Sequence, residues 1–276
     1  MDDVRAAARL IRDADALLIG AGAGMGVDSG LPDFRGKAGF WEAYPPFADL
    51  GVDFFQMANP AAFESDPTLA WGFYGHRYQL YRDTTPHPGF GILLEWARAM
   101  KKGAFVFTSN IDGHFQRAGF PEEQVVECHG SLNYLQCTRP CSDAIWSAEG
   151  MELDVDMSQV RALGPLPTCL HCGALARPNV LMFGDWHWVG DRSSLQESLF
   201  SHWCQTGDFG SLVIVECGAG TTVPTVRSTC ENVAQRLGGT LVRINPRDPQ
   251  VPRGHRSLAS GALDALEELE EELERL

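Results

Sequence analysis

Between residues 16 and 24 the chain passes from Ala16-Leu17-Leu18-Ile19 straight into Gly20-Ala21-Gly22-Ala23-Gly24. Four consecutive apolar residues bounded by glycine read as a strand buried on both faces. The glycines that follow lack a Cβ, so the backbone can turn tightly and bring its N–H groups close to an anion. Helical spacing of apolar and charged residues from Val4 to Arg12 precedes this unit, and more short apolar runs recur at 104–108, 125–128, 212–216 and 240–244. Strands of this kind, separated by helix-length segments, predict an α/β fold: a doubly wound parallel sheet covered by helices on both faces.

Two stretches break that rhythm. One is rich in aromatic residues, from Phe40 to Tyr81; the other carries Cys and Pro, from Tyr134 to Pro178. Both read as insertions that build a smaller lobe. The expected division is 1–36, 84–133 and 179–276 for the nucleotide-binding domain, 37–83 for a helical insertion, and 134–178 for a metal-binding module. No repeat or Gly/Ser-rich hinge separates these parts, which predicts a fixed cleft between lobes.

The second insertion holds Cys137-x3-Cys141 and Cys169-x2-Cys172. Two close pairs across a loop let four thiolates converge on one tetrahedral zinc ion, and four sulfurs leave it no open position, so the expected role is structural. His171 lies within the second pair as a competing ligand. Without a metal these would be four reduced thiols, and their pairing would have no explanation. Cys128, Cys204, Cys217 and Cys230 read as ordinary thiols of the interior.

A formal charge of −14 argues against a nucleic-acid partner, since phosphate binding needs clustered Lys and Arg. There is no long apolar run and no basic, apolar, small-residue opening, so neither a membrane partner nor export is expected. The expected location is the cytoplasm.

Several segments carry a resemblance to a known family. Gly22-Ala23-Gly24-Met25-Gly26-Val27-Asp28-Ser29-Gly30-Leu31-Pro32-Asp33-Phe34-Arg35-Gly36 is similar to the opening NAD-binding signature of sirtuins, with Gly26 where the family usually has Ser. Thr108-Ser109-Asn110-Ile111-Asp112 resembles the sirtuin Thr-Gln-Asn-Ile-Asp motif, with Ser109 in place of Gln. Glu127-Cys128-His129-Gly130-Ser131 resembles the segment that carries the family's general base. Arg177-Pro178-Asn179-Val180-Leu181-Met182-Phe183-Gly184-Asp185 resembles the substrate-binding strand, and Gly218-Ala219-Gly220 and Ile244-Asn245 stand where the family places two further cofactor elements.

The resemblance implies a Rossmann-like fold with a smaller zinc-binding and helical lobe. It implies an enzyme that removes acyl groups from protein lysines while consuming NAD, giving nicotinamide and O-acyl-ADP-ribose. Zinc would be structural, and the partner would be an acyl-lysine protein or peptide. Residue by residue, it puts Gly22, Ala23, Gly24, Asp33, Phe34, Arg35, Ser109, Asn110, Asp112, Gly218 and Asn245 at the cofactor. His129 and Asn110 become catalytic, the imidazole accepting a proton from a ribose hydroxyl. Val180, Phe183 and Gly184 would meet the acyl-lysine substrate by strand addition.

Tyr74 and Arg77 form a Tyr-x-x-Arg pair that shares one face of a helix. In the sirtuin subclass that removes acidic acyl groups such a pair grips the acyl carboxylate. The bland reading is an amphipathic helix with a surface Arg. For the whole chain two rivals stand beside deacylation: an NAD glycohydrolase or ADP-ribosyltransferase on the same fold, and a non-catalytic NAD or ADP-ribose sensor.

Overall fold

In the computed structural model, which describes residues 2–33 and 36–276, the strands in chain order are β1 (Ala16–Ala21), β2 (Ala104–Thr108), β3 (Val125–Glu127), β4 (Gly130–Cys137), β5 (Ile145–Ser147), β6 (Asp154–Asp156), β7 (Arg161–Leu163), β8 (Ala176–Val180), β9 (Leu212–Cys217), β10 (Thr240–Ile244) and β11 (Arg256–Leu258). Six of them form one parallel sheet in the order β11-β10-β9-β1-β2-β3. The apolar runs expected as strands all lie in it. The edge strand β11 carries only Arg256-Ser257-Leu258, too short and polar for an apolar run to reveal.

Every residue of β1, β2, β3 and β9 is buried, as a sheet with two covered faces requires. Side chains alternate between faces along β1. Leu17, Ile19 and Ala21 join the core beneath helices Asp2–Arg12, Pro88–Ala99 and Ala262–Glu274; Ala16 and Leu18 join the core beneath Asp191–Thr206 and Thr225–Leu237.

The chain leaves β1 toward β2 and leaves β9 toward β10, in opposite directions across the sheet. Adjacent strands whose connections diverge leave a crevice beyond their carboxyl ends, and here those ends are Ala21-Gly22 and Cys217-Gly218.

The smaller lobe has its own core. Phe40, Tyr44, Phe47, Phe63, Trp71 and Phe73 pack with Leu153, Val160 and Ala162. Both insertions therefore share one apolar cluster. Polar ties reinforce it: the Trp71 indole N–H donates to the Ala176 carbonyl at 2.9 Å, and Arg161 holds Asp66 through two bonds of 2.9 and 2.7 Å. Helix Pro67–Asp83 has glycine where the β6–β7 hairpin crosses it; a Cβ on Gly72 would lie 2.0 Å from the Val160 carbonyl oxygen.

Candidate active site

Beyond β1 the glycine segment forms a 3₁₀ helix, Ala23–Ser29. Glycine at 24 and 26 is a poor helix former, and Gly30 ends the turn in the left-handed region at φ 89°. The segment lies against the loop after β9. Gly24 N–H donates to the Gly218 carbonyl at 3.0 Å, and Gly22 N–H to the Cys217 carbonyl at 3.0 Å. His87 braces it from behind. Its Nδ1 accepts from the Gly89 N–H at 3.1 Å, which leaves Nε2–H to donate to the Met25 carbonyl at 2.9 Å.

The loop after β2 supplies Ser109, Asn110 and Asp112. Asn110 Nδ2 donates to the Gly22 carbonyl at 3.0 Å, and its backbone N–H to Thr108 Oγ1 at 3.0 Å. Asp112 Oδ1 accepts from the His114 N–H at 2.9 Å. These bonds hold two loops from neighbouring strands in one arrangement.

His129 occupies the turn between β3 and β4 and is half-buried. Gly130 makes that turn possible. It sits at φ 75°, and a Cβ there would meet the Asn179 carbonyl oxygen at 2.1 Å. The His129 carbonyl in turn accepts from Leu181 N–H at 2.9 Å, tying the imidazole's backbone to the end of β8. Burial pushes the imidazole below the ordinary histidine value, and a hydrogen bond to the Ser109 backbone pulls it partly back. Its neighbour Cys128 is driven up to about 12 by burial and stays a neutral thiol.

The two glycine loops, the loop after β2 and the His129 turn open onto one cavity of about 590 Å³ between the sheet and the smaller lobe. Its walls include Gly22, Ala23, Gly24, Asp33, Ser109, Asn110, Asp112 and Gly218 on the sheet side, together with His129. Val180 and Phe183 line it from the β8 segment, and Tyr74 and Arg77 from helix Pro67–Asp83. Asp33 is ion-paired at 2.8 Å with Arg247, at the exposed rim. Phe34 and Arg35 lie outside the described residues.

Two expected site residues do not line the cavity. Asn245 is buried behind it, where its Nδ2 donates to the Ala219 carbonyl at 2.9 Å and its Oδ1 accepts from Arg247 N–H at 3.0 Å and Asp248 N–H at 2.9 Å. It supports the Gly218 loop from below. Gly184 is exposed at the turn beyond Phe183, with φ 67°.

The cavity also takes in residues that motif reading passed over. Thr221 and Thr222 bring hydroxyls just past the places where Ala219 and Gly220 lack them, a signal present in the sequence. Phe54, Phe55 and Tyr81 come from the aromatic insertion, where nothing in the spacing separates lining residues from core. The Phe55 and Phe183 rings meet at the rim with centroids 4.5 Å apart.

The Arg77 guanidinium is buried, and Tyr81 takes two of its N–H groups: the hydroxyl accepts from Nε at 3.0 Å and from Nη2 at 2.7 Å. Burial drives the Tyr74 phenol up to about 12, so it remains a donor. The helix thus presents a buried cation, where a surface Arg was the bland expectation.

Away from the cavity, the sulfurs of Cys137, Cys141, Cys169 and Cys172 lie within 4.8 Å of one another. Cys137 and Cys172 are 3.7 Å apart, and Cys141 and Cys169 3.6 Å. A tetrahedron with Zn–S bonds of about 2.3 Å has edges of about 3.8 Å, so the four thiols fit zinc. Strands β4 and β8 both end at this cluster or start beside it, and β8 runs on to Val180.

The loop clamping the far side of β8 is set by a fully buried ion pair. Arg177 Nη1 and Nη2 reach the two Asp185 oxygens at 2.7 and 2.8 Å. Asp185 also accepts from Met182 N–H at 3.3 Å and His187 N–H at 3.2 Å, which fixes the turn that carries Phe183.

Comparison with known proteins places this arrangement. The model of the Sir2 family matches residues 22–198. NAD-dependent protein deacylase 1 of Archaeoglobus fulgidus is 29% identical over 95% of this chain and 94% of its own. The NAD-dependent protein deacylase of Pyrococcus furiosus is 30% identical over 92% of each chain. A solved Sir2 homologue–NAD complex superposes with TM-score 0.71 at 27% identity, across 97% of this chain and 93% of that one. An ADP-ribose complex of a mutant Sir2 homologue gives 0.71 at 26% identity, across 97% and 95%. Numbered by chain order, the parallel sheet runs 3-2-1-4-5-6, its two glycine loops meet at the switch point, and a matching family model covers most of the chain: this protein belongs to the Sir2 family.

Proposed function

We infer that this protein is an NAD-dependent protein deacylase that removes acyl groups from lysine side chains. The observation that carries the reading is a single cavity in which the glycine loops of a nucleotide-binding sheet, a half-buried imidazole and the substrate-facing strand β8 all meet. NAD supplies the electrophilic ribose carbon and nicotinamide as leaving group. The chain's own residues bind, orient and move a proton.

Gly22, Ala23, Gly24 and Gly218 offer backbone to the pyrophosphate, and at the three glycines a Cβ would collide with the facing glycine loop. Asn110 and Asp112 face the nicotinamide ribose and carboxamide, held there by Gly22 and His114. His129, kept neutral by burial, takes the proton from a ribose hydroxyl. Phe55, Val180 and Phe183 enclose the aliphatic lysine stem and exclude water from it. Cys137, Cys141, Cys169 and Cys172 would hold a structural zinc that pins β4 to β8.

For the acyl group, Tyr74 and Arg77 support a preference for acidic chains such as succinyl or malonyl. A buried guanidinium that lines the cavity attracts a carboxylate more strongly than a neutral acyl chain. None of the eight cysteines is bridged, which fits a reducing compartment, the cytoplasm. Among the described residues no helix is long and apolar enough to cross a membrane. The net charge of −14 favours protein over nucleic acid as partner.

The test is a panel of acetyl-, succinyl- and longer acyl-lysine peptides incubated with and without NAD. Deacylated peptide and nicotinamide should form together and only when both substrates are present. Nicotinamide release from NAD alone, at the rate seen with peptide, would instead identify an NAD glycohydrolase.

A further inference from the structure

A second cavity, of about 490 Å³, opens between the loop after β4 and the segment that runs from the end of β8 into helix Asp191–Thr206. It shares no lining residue with the cavity that holds His129. Arg139 and Asp143 line it from the first side, and Trp186, His187, Trp188 and Asp191 from the second.

The backbone of that second side is fixed by buried polar side chains. Asp185 accepts from His187 N–H at 3.2 Å, and Gln136 Nε2 donates to the His187 carbonyl at 2.8 Å. Gln136 Oε1 accepts from Val189 N–H at 3.0 Å, while Asn179 Nδ2 donates to the Val189 carbonyl at 2.8 Å. From this braced segment the Trp186 indole stands 94% exposed, more than any other large apolar side chain of the described residues. A second indole, Trp188, lines the same cavity.

The charges there favour a cationic occupant. Asp143 and Asp191 are exposed, and among the described residues neither carboxylate has a hydrogen-bond or ion-pair partner. An indole face attracts an ammonium or guanidinium group, and nearby carboxylates add to the attraction. Arg139 is the one Lys or Arg side chain in the lining, set against two carboxylates. The net charge of −14 draws basic segments toward the protein as a whole.

We propose that this cavity docks a basic segment of the protein substrate, a Lys or Arg side chain lying on the Trp186 indole with its charge toward Asp143 and Asp191. The identity of the occupant as substrate rests on the deacylase reading. Phe183 lines the catalytic cavity, and the buried Arg177–Asp185 pair fixes the turn between it and Trp186. Three residues of chain span at most about 11 Å. A peptide that engages Phe183 therefore reaches the second cavity with a basic residue a few positions along.

A labelled oligolysine peptide without any acyl group, with an oligoserine peptide as control, probes the cavity apart from catalysis. Fluorescence anisotropy should show that Trp186→Ala weakens oligolysine binding about fivefold. The substitution leaves the net charge unchanged, so binding at the parent level would mean attraction by bulk charge alone and overturn the proposal. Arg139→Gln removes the opposing cation and should tighten binding; weaker binding would mark an anion site instead. In turnover, Trp186→Ala should raise KM about fivefold for an acyl-lysine peptide flanked by lysines, leaving kcat and the KM of a short acyl-lysine peptide unchanged. If no acyl peptide is turned over, the deacylase reading fails, whereas the oligolysine titration still decides whether the cavity binds cations. A parent dimer that becomes monomeric in Trp186→Ala by sedimentation would make a second copy the occupant and overturn the proposal.

Discussion

Gly24 and Gly218 face each other so closely that neither position has room for a side chain. A Cβ on Gly24 would lie 2.7 Å from the Gly218 Cα, and one on Gly218 would lie 2.4 Å from the Gly24 carbonyl carbon. Gly218 also sits at φ 63°, where only glycine is at ease. Gly24→Ala should force the two loops apart. Overpacking of this kind costs about 1–3 kcal/mol, and because the displaced atoms are those expected at the pyrophosphate, NAD affinity should weaken at least tenfold. Titration calorimetry with NAD measures it, and an unchanged Kd would show that these loops do not hold the cofactor.

Gly26 is a different case. A Cβ there would come within 3.3 Å of the flexible Leu31 side chain and nothing harder. Gly26→Ser should therefore fold normally and supply a hydroxyl at the cavity wall. One added hydrogen bond is worth about 1 kcal/mol, so NAD should bind about fivefold tighter. Weaker binding would mean that the wall at Gly26 is not a cofactor contact.

The pH profile follows from His129. Burial lowers its pKa below the ordinary histidine value, so the imidazole stays neutral and able to accept a proton at pH values where a free histidine is already charged. The acidic limb of kcat/KM, which reports the free enzyme, should have its midpoint below about 6.5. His129→Ala should lose at least about a hundredfold in turnover while retaining NAD binding. An acidic limb that survives the substitution unchanged would assign the base elsewhere.

Zinc analysis should return one ion per chain, held by Cys137, Cys141, Cys169 and Cys172. Chelation should release it and lower the melting temperature. Peptide binding should be lost before NAD binding, because β4 and β8 are tied at the cysteines and β8 leads to Val180 and Phe183, whereas the glycine loops belong to the parallel sheet. Equal loss of both ligands on chelation would contradict this division.

Arg177 and Asp185 make a bidentate pair shielded from solvent on both sides. Asp185→Asn strands a buried guanidinium and should cost about 3–5 kcal/mol of stability. Arg177→Met combined with Asp185→Asn should recover part of the loss, since no unpaired charge remains. Chemical denaturation of Asp185→Asn, Arg177→Met and the double variant gives the coupling directly, and additive losses would exclude a shared origin.

Local patterns carry as far as local physics does. Four of the six sheet strands stand out as apolar runs, and β3 nearly so, because a strand buried on both faces is mostly apolar; the buried charges in β9 and β10, Glu216 and Arg243, are paired with each other at 2.6 Å. The cysteine spacing already implied a tetrahedral site, since chelating pairs are close in sequence before they are close in space. The 3₁₀ geometry of Ala23–Ser29 was not legible in the same way, because it depends on the loop from β9 against which that segment rests.

What emerges only on folding is contact between remote segments. That Gly24 must be glycine because of Gly218, that Asn245 is spent on supporting Ala219, and that Asp33 reaches Arg247 all depend on which strands become neighbours. The aromatic insertion is the sharpest example. Its residues share one composition, and burial against the β6–β7 hairpin on one side and the cavity on the other decides that Trp71 and Phe73 are core alone while Tyr74, Arg77 and Tyr81 also line the cavity. Side-chain type sets what each group is able to do, but only the packing of the two lobes chooses which of them meet.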